Sequence, residues 1–161
     1  MSTMPWRSLR ALSRALVSRR LDVIVEGDEH VPRSGPAVIA ARHYHHLYDG
    51  ALILAMIPRP VHILVASDWA MPGPGRGALE AACRAAGWPV VQRAGAADPA
   101  RPAASAGTRG DLLRAIRRGA GIVAGGGVLL VFPEGYPNVD PGFTPKAGPD
   151  AFLPFEAGFA T

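Results

Sequence analysis

Ala37-Val38-Ile39-Ala40-Ala41-Arg42-His43-Tyr44-His45-His46-Leu47-Tyr48-Asp49-Gly50 is the stretch that decides how this chain folds. Its first four residues are apolar, follow Gly35-Pro36, and predict a short buried strand. Ala51-Leu52-Ile53-Leu54-Ala55-Met56-Ile57 runs on from it and predicts a helix that stops at Pro58. Between them, three of the five histidines fall within four residues, with a carboxylate close behind. A strand end that turns into a helix start is the mouth of an α/β site.

The flanking chain repeats this alternation. Leu21 to Glu26 alternates and predicts a half-exposed strand, and Val61 to Ala66 a further one. Met71 to Gly75 is rich in breakers and reads as a loop. Ala78 to Ala86 predicts a helix, and Trp88 to Gln92 a strand ending at Arg93. Residues 94–107, rich in Ala, Gly, Pro and Ser, read as a loop. Asp111 to Arg118 predicts a helix with Leu112, Leu113 and Ile116 on one side and Thr108 as its cap. Gly125-Gly126-Gly127 breaks the chain before Val128-Leu129-Leu130-Val131-Phe132, the most apolar strand, which stops at Pro133-Glu134-Gly135. The fold class is therefore α/β: one domain with a mostly parallel, mixed central sheet flanked by helices. Residues 1–20 form a basic leader helix and residues 21–161 the domain.

The 161 residues, 48% hydrophobic and 19% charged, suit one domain with a real core and exclude a disordered chain. Five arginines precede the first acid, Asp22; from residue 21 on, 12 basic residues face 13 acidic ones. A near-neutral domain behind a basic leader is no nucleic-acid binder. In that leader Trp6, Leu9, Leu12, Leu16 and Val17 recur at helical spacing, with Arg7, Arg10 and Arg14 opposite. Two readings stand: a helix lying on an anionic membrane, and a helix packed on its own domain. The single cysteine, Cys83, excludes an internal disulfide and reads as an inert packed thiol. No apolar run reaches the ~18 residues of a membrane span, and arginines interrupt what would be a signal peptide's core.

A histidine at a helix start is kept neutral by the positive end of the dipole and can accept a proton. An aspartate nearby fixes its tautomer and stabilises the imidazolium. His45 and Asp49 stand at i, i+4 on one helical face; His43 and Asp49, at i, i+6, need a non-helical lead-in. The three histidines also raise a metal site, but Leu47 and Tyr48 stand where a His-x-His-x-Asp-His ligand pattern needs Asp and His. Arg93 and Glu134 each end a strand, where an arginine fork can grip a phosphate.

Taken in order, Gly35 to His43 with Asp49-Gly50, then Gly87 to Arg93, then Val131-Phe132-Pro133-Glu134-Gly135, resemble three blocks of the glycerolipid acyltransferases. These are the PlsC-like 1-acylglycerol-3-phosphate acyltransferases. Leu153 to Gly158 is similar to the family's following Phe-x-x-Gly stretch, and Val23 to Gly27 to its opening strand. The first block departs from Asn-His-x4-Asp: Arg42 replaces Asn, and five residues separate His43 from Asp49. Counting from Pro36 favours His43 as the base; the other register makes it His45. Tyr136-Pro137-Asn138 stands where the family has Thr and Arg, then Ser. A fourth block is not reached by Thr161, so the domain is expected to be incomplete.

The resemblance implies a bacterial enzyme of phospholipid synthesis on the cytoplasmic face of the membrane. It would move a fatty acyl group from coenzyme A or acyl carrier protein to a lysophospholipid or glycerol-phosphate-type acceptor. His43 or His45 would act as base with Asp49, while Arg93, Phe132, Pro133, Glu134 and Gly135 would bind substrate. No metal and no further cofactor is implied, and the leader then favours an anionic membrane surface. The alternatives are a non-catalytic lipid-binding relative and a metal-dependent hydrolase using His43, His45 and His46.

Overall fold

The computed structural model describes residues 6–67, 74–91 and 104–135. In chain order they form α1 (Trp6–Ser18), β1 (Ala37–Ala40), α2 (Tyr48–Met56), β2 (Val61–Ile63), β3 (Val65–Ala66), α3 (Pro74–Ala86), β4 (Val90–Val91), α4 (Ala104–Ala124) and β5 (Val128–Val131). Every described strand pairing is parallel. β5 lies between β1 and β2, in register Ala37 with Val128 and Val61 with Val128. The α/β expectation holds.

β5 is buried along its whole length, as its unbroken Val-Leu-Leu-Val run demands of a central parallel strand. Leu54, Ile57, Val61, Ile63, Val128 and Leu130 form the main core beneath it. Fully burying a side chain such as Leu130 contributes about 1.5–3 kcal/mol. β1 sits beside it with Ala37 and Ile39 turned inward and Val38 exposed.

Two strand expectations change. Val61 to Ala66 divides: Leu64 N donates to Leu130 O at 3.0 Å, and the next residue, Val65 N, to Pro89 O at 2.9 Å. One extended run thus pairs first with β5 and then with β4. Residues 21–27 form no strand; Val23 packs beside Val17, Ala51 and Ala55, while Ile24 is 88% exposed. Alternation supplied the pattern there, but among the described residues no strand edge pairs with it.

Helix α4 also differs. It begins at Ala104, so Thr108 lies within it and does not cap it. Leu112, Leu113 and Ile116 are exposed, while Ala115 and Gly119 are buried. A Cβ on Gly119 would stand 3.0 Å from Leu129 Cδ2, so small residues let α4 lie close to the sheet. The helix ends in a Schellman motif: Gly126, at φ 81°, donates to Val123 O, and Gly127 N to Ile122 O.

α1 packs against α2 with Ser13 and Val17 buried, and Trp6 and Leu9 reach the main core. Leu12, expected on the apolar stripe, is exposed. Arg10 and Arg14, expected on the outer side, donate through Nε to Ala55 O at 3.3 and 3.2 Å. At the other end of the strands, Arg59 donates to Pro32 O, Gly35 O and Gly126 O. It ties together the segments that lead into β1, β2 and β5. The N-terminal edge of the sheet is thus clamped, and the C-terminal edge carries the histidines and Glu134.

Candidate active site

The last ladder bond between β1 and β5 runs from Ala41 N to Val131 O at 3.1 Å. Beyond it the chain from Ala41 to His45 is irregular, and α2 starts only at Tyr48. This is the non-helical lead-in that the six-residue spacing requires. Asp49, in the first turn of α2, gathers it. Its Oδ2 accepts from Tyr44 N at 2.5 Å and His45 N at 2.8 Å, and lies 2.8 Å from His43 Nδ1.

That last contact settles which ring meets the carboxylate. A carboxylate only accepts, so a neutral His43 must carry its proton on Nδ1, leaving the Nε2 lone pair as the basic site. His45 reaches Asp49 through its backbone alone; its Nδ1 accepts from Leu47 N at 3.3 Å, and its ring tilts against Tyr48. His43 is also held from beneath by Phe132, with ring centroids 4.2 Å apart and planes 19° from parallel.

Phe132-Pro133-Glu134-Gly135 forms a tight turn closed by Gly135 N to Phe132 O at 3.0 Å. Proline at the second position and glycine at the fourth, here at φ 74°, are what such a turn favours. Pro133 is buried and Gly135 half-buried. Glu134, expected to position an acceptor, has a side chain with no exposure. Its Oε2 accepts from His43 N at 3.1 Å and its Oε1 from Arg42 Nη1 at 3.3 Å. Arg93, Tyr136 and Leu153 to Gly158 lie outside the described residues.

A cavity of about 290 Å³ adjoins this cluster, lined by Arg42 and Asp49 together with Leu21, Tyr48, Leu52 and Phe132. A larger trough of about 510 Å³ lies away from the histidines, along Arg14, Val17, Leu21 and Met56. The smaller cavity is the one at the chemistry. Among the described residues, no three His, Cys, Asp or Glu side chains converge as a metal-binding group. Cys83 is buried, and burial, helped by nearby Glu80, pushes its thiol pKa up.

Sequence reasoning brought His43, Asp49 and Glu134 together but missed two contacts. Arg42 stood out only as a departure, and its pairing with a carboxylate 92 residues away has no local signature. Phe132 was assigned to substrate; its place beneath the His43 ring follows from β5 lying next to β1.

The fold and this strand-end cluster define a parallel α/β protein with a carboxylate-held histidine at its mouth. The family model for Acyltransferase matches residues 22–161, and the chain belongs to that family. Acyl transfer is the general activity this membership supports. No match was found among curated proteins or among solved structures. Among the described residues, no helix is long and apolar enough to cross a membrane.

Proposed function

We propose that the protein moves a fatty acyl group from a thioester of coenzyme A or acyl carrier protein to the hydroxyl of a lysophospholipid or glycerol-phosphate-type acceptor. The observation that carries this is the 2.8 Å contact between His43 Nδ1 and Asp49 Oδ2. His43 Nε2 takes the hydroxyl proton as the acceptor oxygen attacks the thioester carbonyl carbon. The tetrahedral oxyanion collapses, the carbon–sulfur bond breaks, and the departing thiolate recovers the proton from Nε2. Asp49 remains a carboxylate throughout and stabilises the imidazolium between the two transfers.

The apolar wall of Leu21, Leu52 and Phe132 suits a hydrocarbon tail. By its family position, Arg93 binds the acceptor phosphate, where a planar fork is not replaced by lysine. Arg93→Lys is then expected to raise the acceptor KM by roughly 10- to 100-fold with the thioester KM unchanged. An unmoved acceptor KM would remove the phosphate from this reading.

Peripheral contact with an anionic membrane on the cytoplasmic face belongs to the same proposal. Exposed Leu12 and Ile24, with exposed Arg7, Arg19 and Arg20, support it. Each arginine near such a surface contributes about 1 kcal/mol. Because Arg10 and Arg14 hold α2, the test spares them: Arg7, Arg19 and Arg20 are changed to Gln together. Sedimentation with anionic liposomes is expected to drop, and unchanged sedimentation would leave α1 a packing helix only.

The decisive assay for the reaction is acceptor-dependent thiol release from an acyl thioester. Binding of lysophospholipid with no thiol release would leave a lipid-binding member of the family.

A further inference from the structure

Glu134 is the most deeply buried charged residue among those described, at 2% exposure. A carboxylate without water costs several kcal/mol unless donors surround it. Here the donors are a backbone amide and a guanidinium of the same neighbouring segment, His43 N and Arg42 Nη1. Their place in the sheet explains them. β1 and β5 run in register through Ala40 and Val131, and their ladder ends at Ala41 N to Val131 O. The Glu134 side chain continues that ladder past its end, offering a carboxylate oxygen to His43 N, the next amide along that edge. The same turn brings Phe132 under the His43 ring.

We propose that Glu134 is a positioning residue that acts through the His43 main chain, with Arg42 as its counterion, and is not a contact to the acceptor. This rests on His43 being the base. Three constraints then place the imidazole: Glu134 on its amide, Asp49 on its Nδ1 and Phe132 on its face. Two come from β5 and its turn, so the base is set by the sheet itself. Arg42, half-exposed at the mouth, sets its positive charge against the fully covered Glu134 side chain.

The test uses the full chain with ¹⁵N-labelled histidine. The proton on His43 Nδ1, bonded to Asp49, gives an imidazole resonance assigned by its loss in His43→Ala. Glu134→Gln keeps the shape but sets an NH2 against one of the two donors. It is expected to shift that resonance and speed its exchange with solvent while the cooperative thermal melt persists. An unmoved resonance would overturn the proposal. In turnover, Glu134→Gln is expected to lower kcat by roughly 10- to 100-fold with both KM values held. A raised acceptor KM at unchanged kcat would instead make Glu134 an acceptor contact.

If Glu134→Gln does not fold, Arg42→Gln and Arg42→Lys take its place. The glutamine variant is expected to move the same resonance and lower kcat, and the lysine variant to retain more of both. Equal behaviour of wild type and Arg42→Gln overturns the counterion. A wild-type protein without turnover would sink the reaction, and the resonance alone would then decide the positioning contact.

Discussion

Helix α2 is nine residues long, and its two ends are held in opposite ways. At the N-terminal end Asp49 faces the positive pole of the helix and accepts from His43, Tyr44 and His45, all four to six residues away. At the C-terminal end the carbonyl of Ala55 meets Arg10 and Arg14, which reach it from 45 and 41 residues earlier. An anion at the start and cations at the end both suit the macrodipole. The difference lies in what each end faces. The first opens on the cavity beside the histidines and orients a base; the second, where Ala55 is fully buried, fastens one helix to another.

If that division is right, damage at the two ends must show in different measurements. The largest effect is expected from His43→Ala, which removes the proton acceptor: thiol release should fall by roughly 10²- to 10⁴-fold with the melting temperature little changed. His45→Ala should lose far less, since its ring does not meet Asp49. The opposite ranking would hand the base to His45.

Asp49→Asn keeps the size but removes the charge that holds the imidazolium. A loss of roughly 10- to 100-fold in kcat is expected. Because three donors share Asp49 Oδ2, some stability should go with it. An Asp49→Asn enzyme with wild-type kcat would break the link between the helix start and the chemistry.

At the C-terminal end, Arg10→Met with Arg14→Met should do the reverse. Each keeps an apolar stem on α2 while withdrawing a charged donor that is partly open to solvent. About 1–2 kcal/mol of stability is expected to go for the pair, read as a lower denaturant midpoint with kcat held. A drop in kcat at unchanged stability would show that the C-terminal end of α2 also serves the site.

The smallest effect is chemical. Cys83 is 1% exposed and its thiol pKa is raised by burial, so its reactive thiolate is scarce at neutral pH. A thiol reagent should label it only as fast as the protein opens, and faster in the Arg10→Met, Arg14→Met variant. Rapid labelling of the native wild type would contradict the packing of α3.

The same contrast explains what was legible in the chain. The N-terminal end of α2 could be read because its partners lie within one short stretch, and a histidine, a turn and a carboxylate already imply one another. β5 was equally plain, since four apolar residues in a row describe a strand covered on both faces. The C-terminal end was not legible. Arg10 and Arg14 look like a solvated face in any helical projection, and only the crossing of α1 over α2 brings their Nε atoms to the Ala55 carbonyl. Leu112, Leu113 and Ile116 misled in the same manner, because small Ala115 and Gly119 allow the closer approach to the sheet. Residues 21–27 alternate like a strand but, among the described residues, join no edge. Glu134 announced itself as chemistry, yet its partners Arg42 and His43 lie just past the end of β1, more than 90 residues earlier.

The central place of β5 has a consequence for how the protein comes into being. Its two neighbours, β1 and β2, are both made long before it, and among the described pairings neither touches the other. A growing chain that has not yet delivered Val131 therefore holds two parallel edges with nothing between them, open to wrong partners. The insertion of β5 closes the sheet and, in the same event, carries Phe132 and Glu134 to His43. Assembly of the sheet and arming of the histidine are one step. The amide of Leu130, in the middle of that strand, should then exchange with deuterium only through global unfolding, at the rate the whole protein opens.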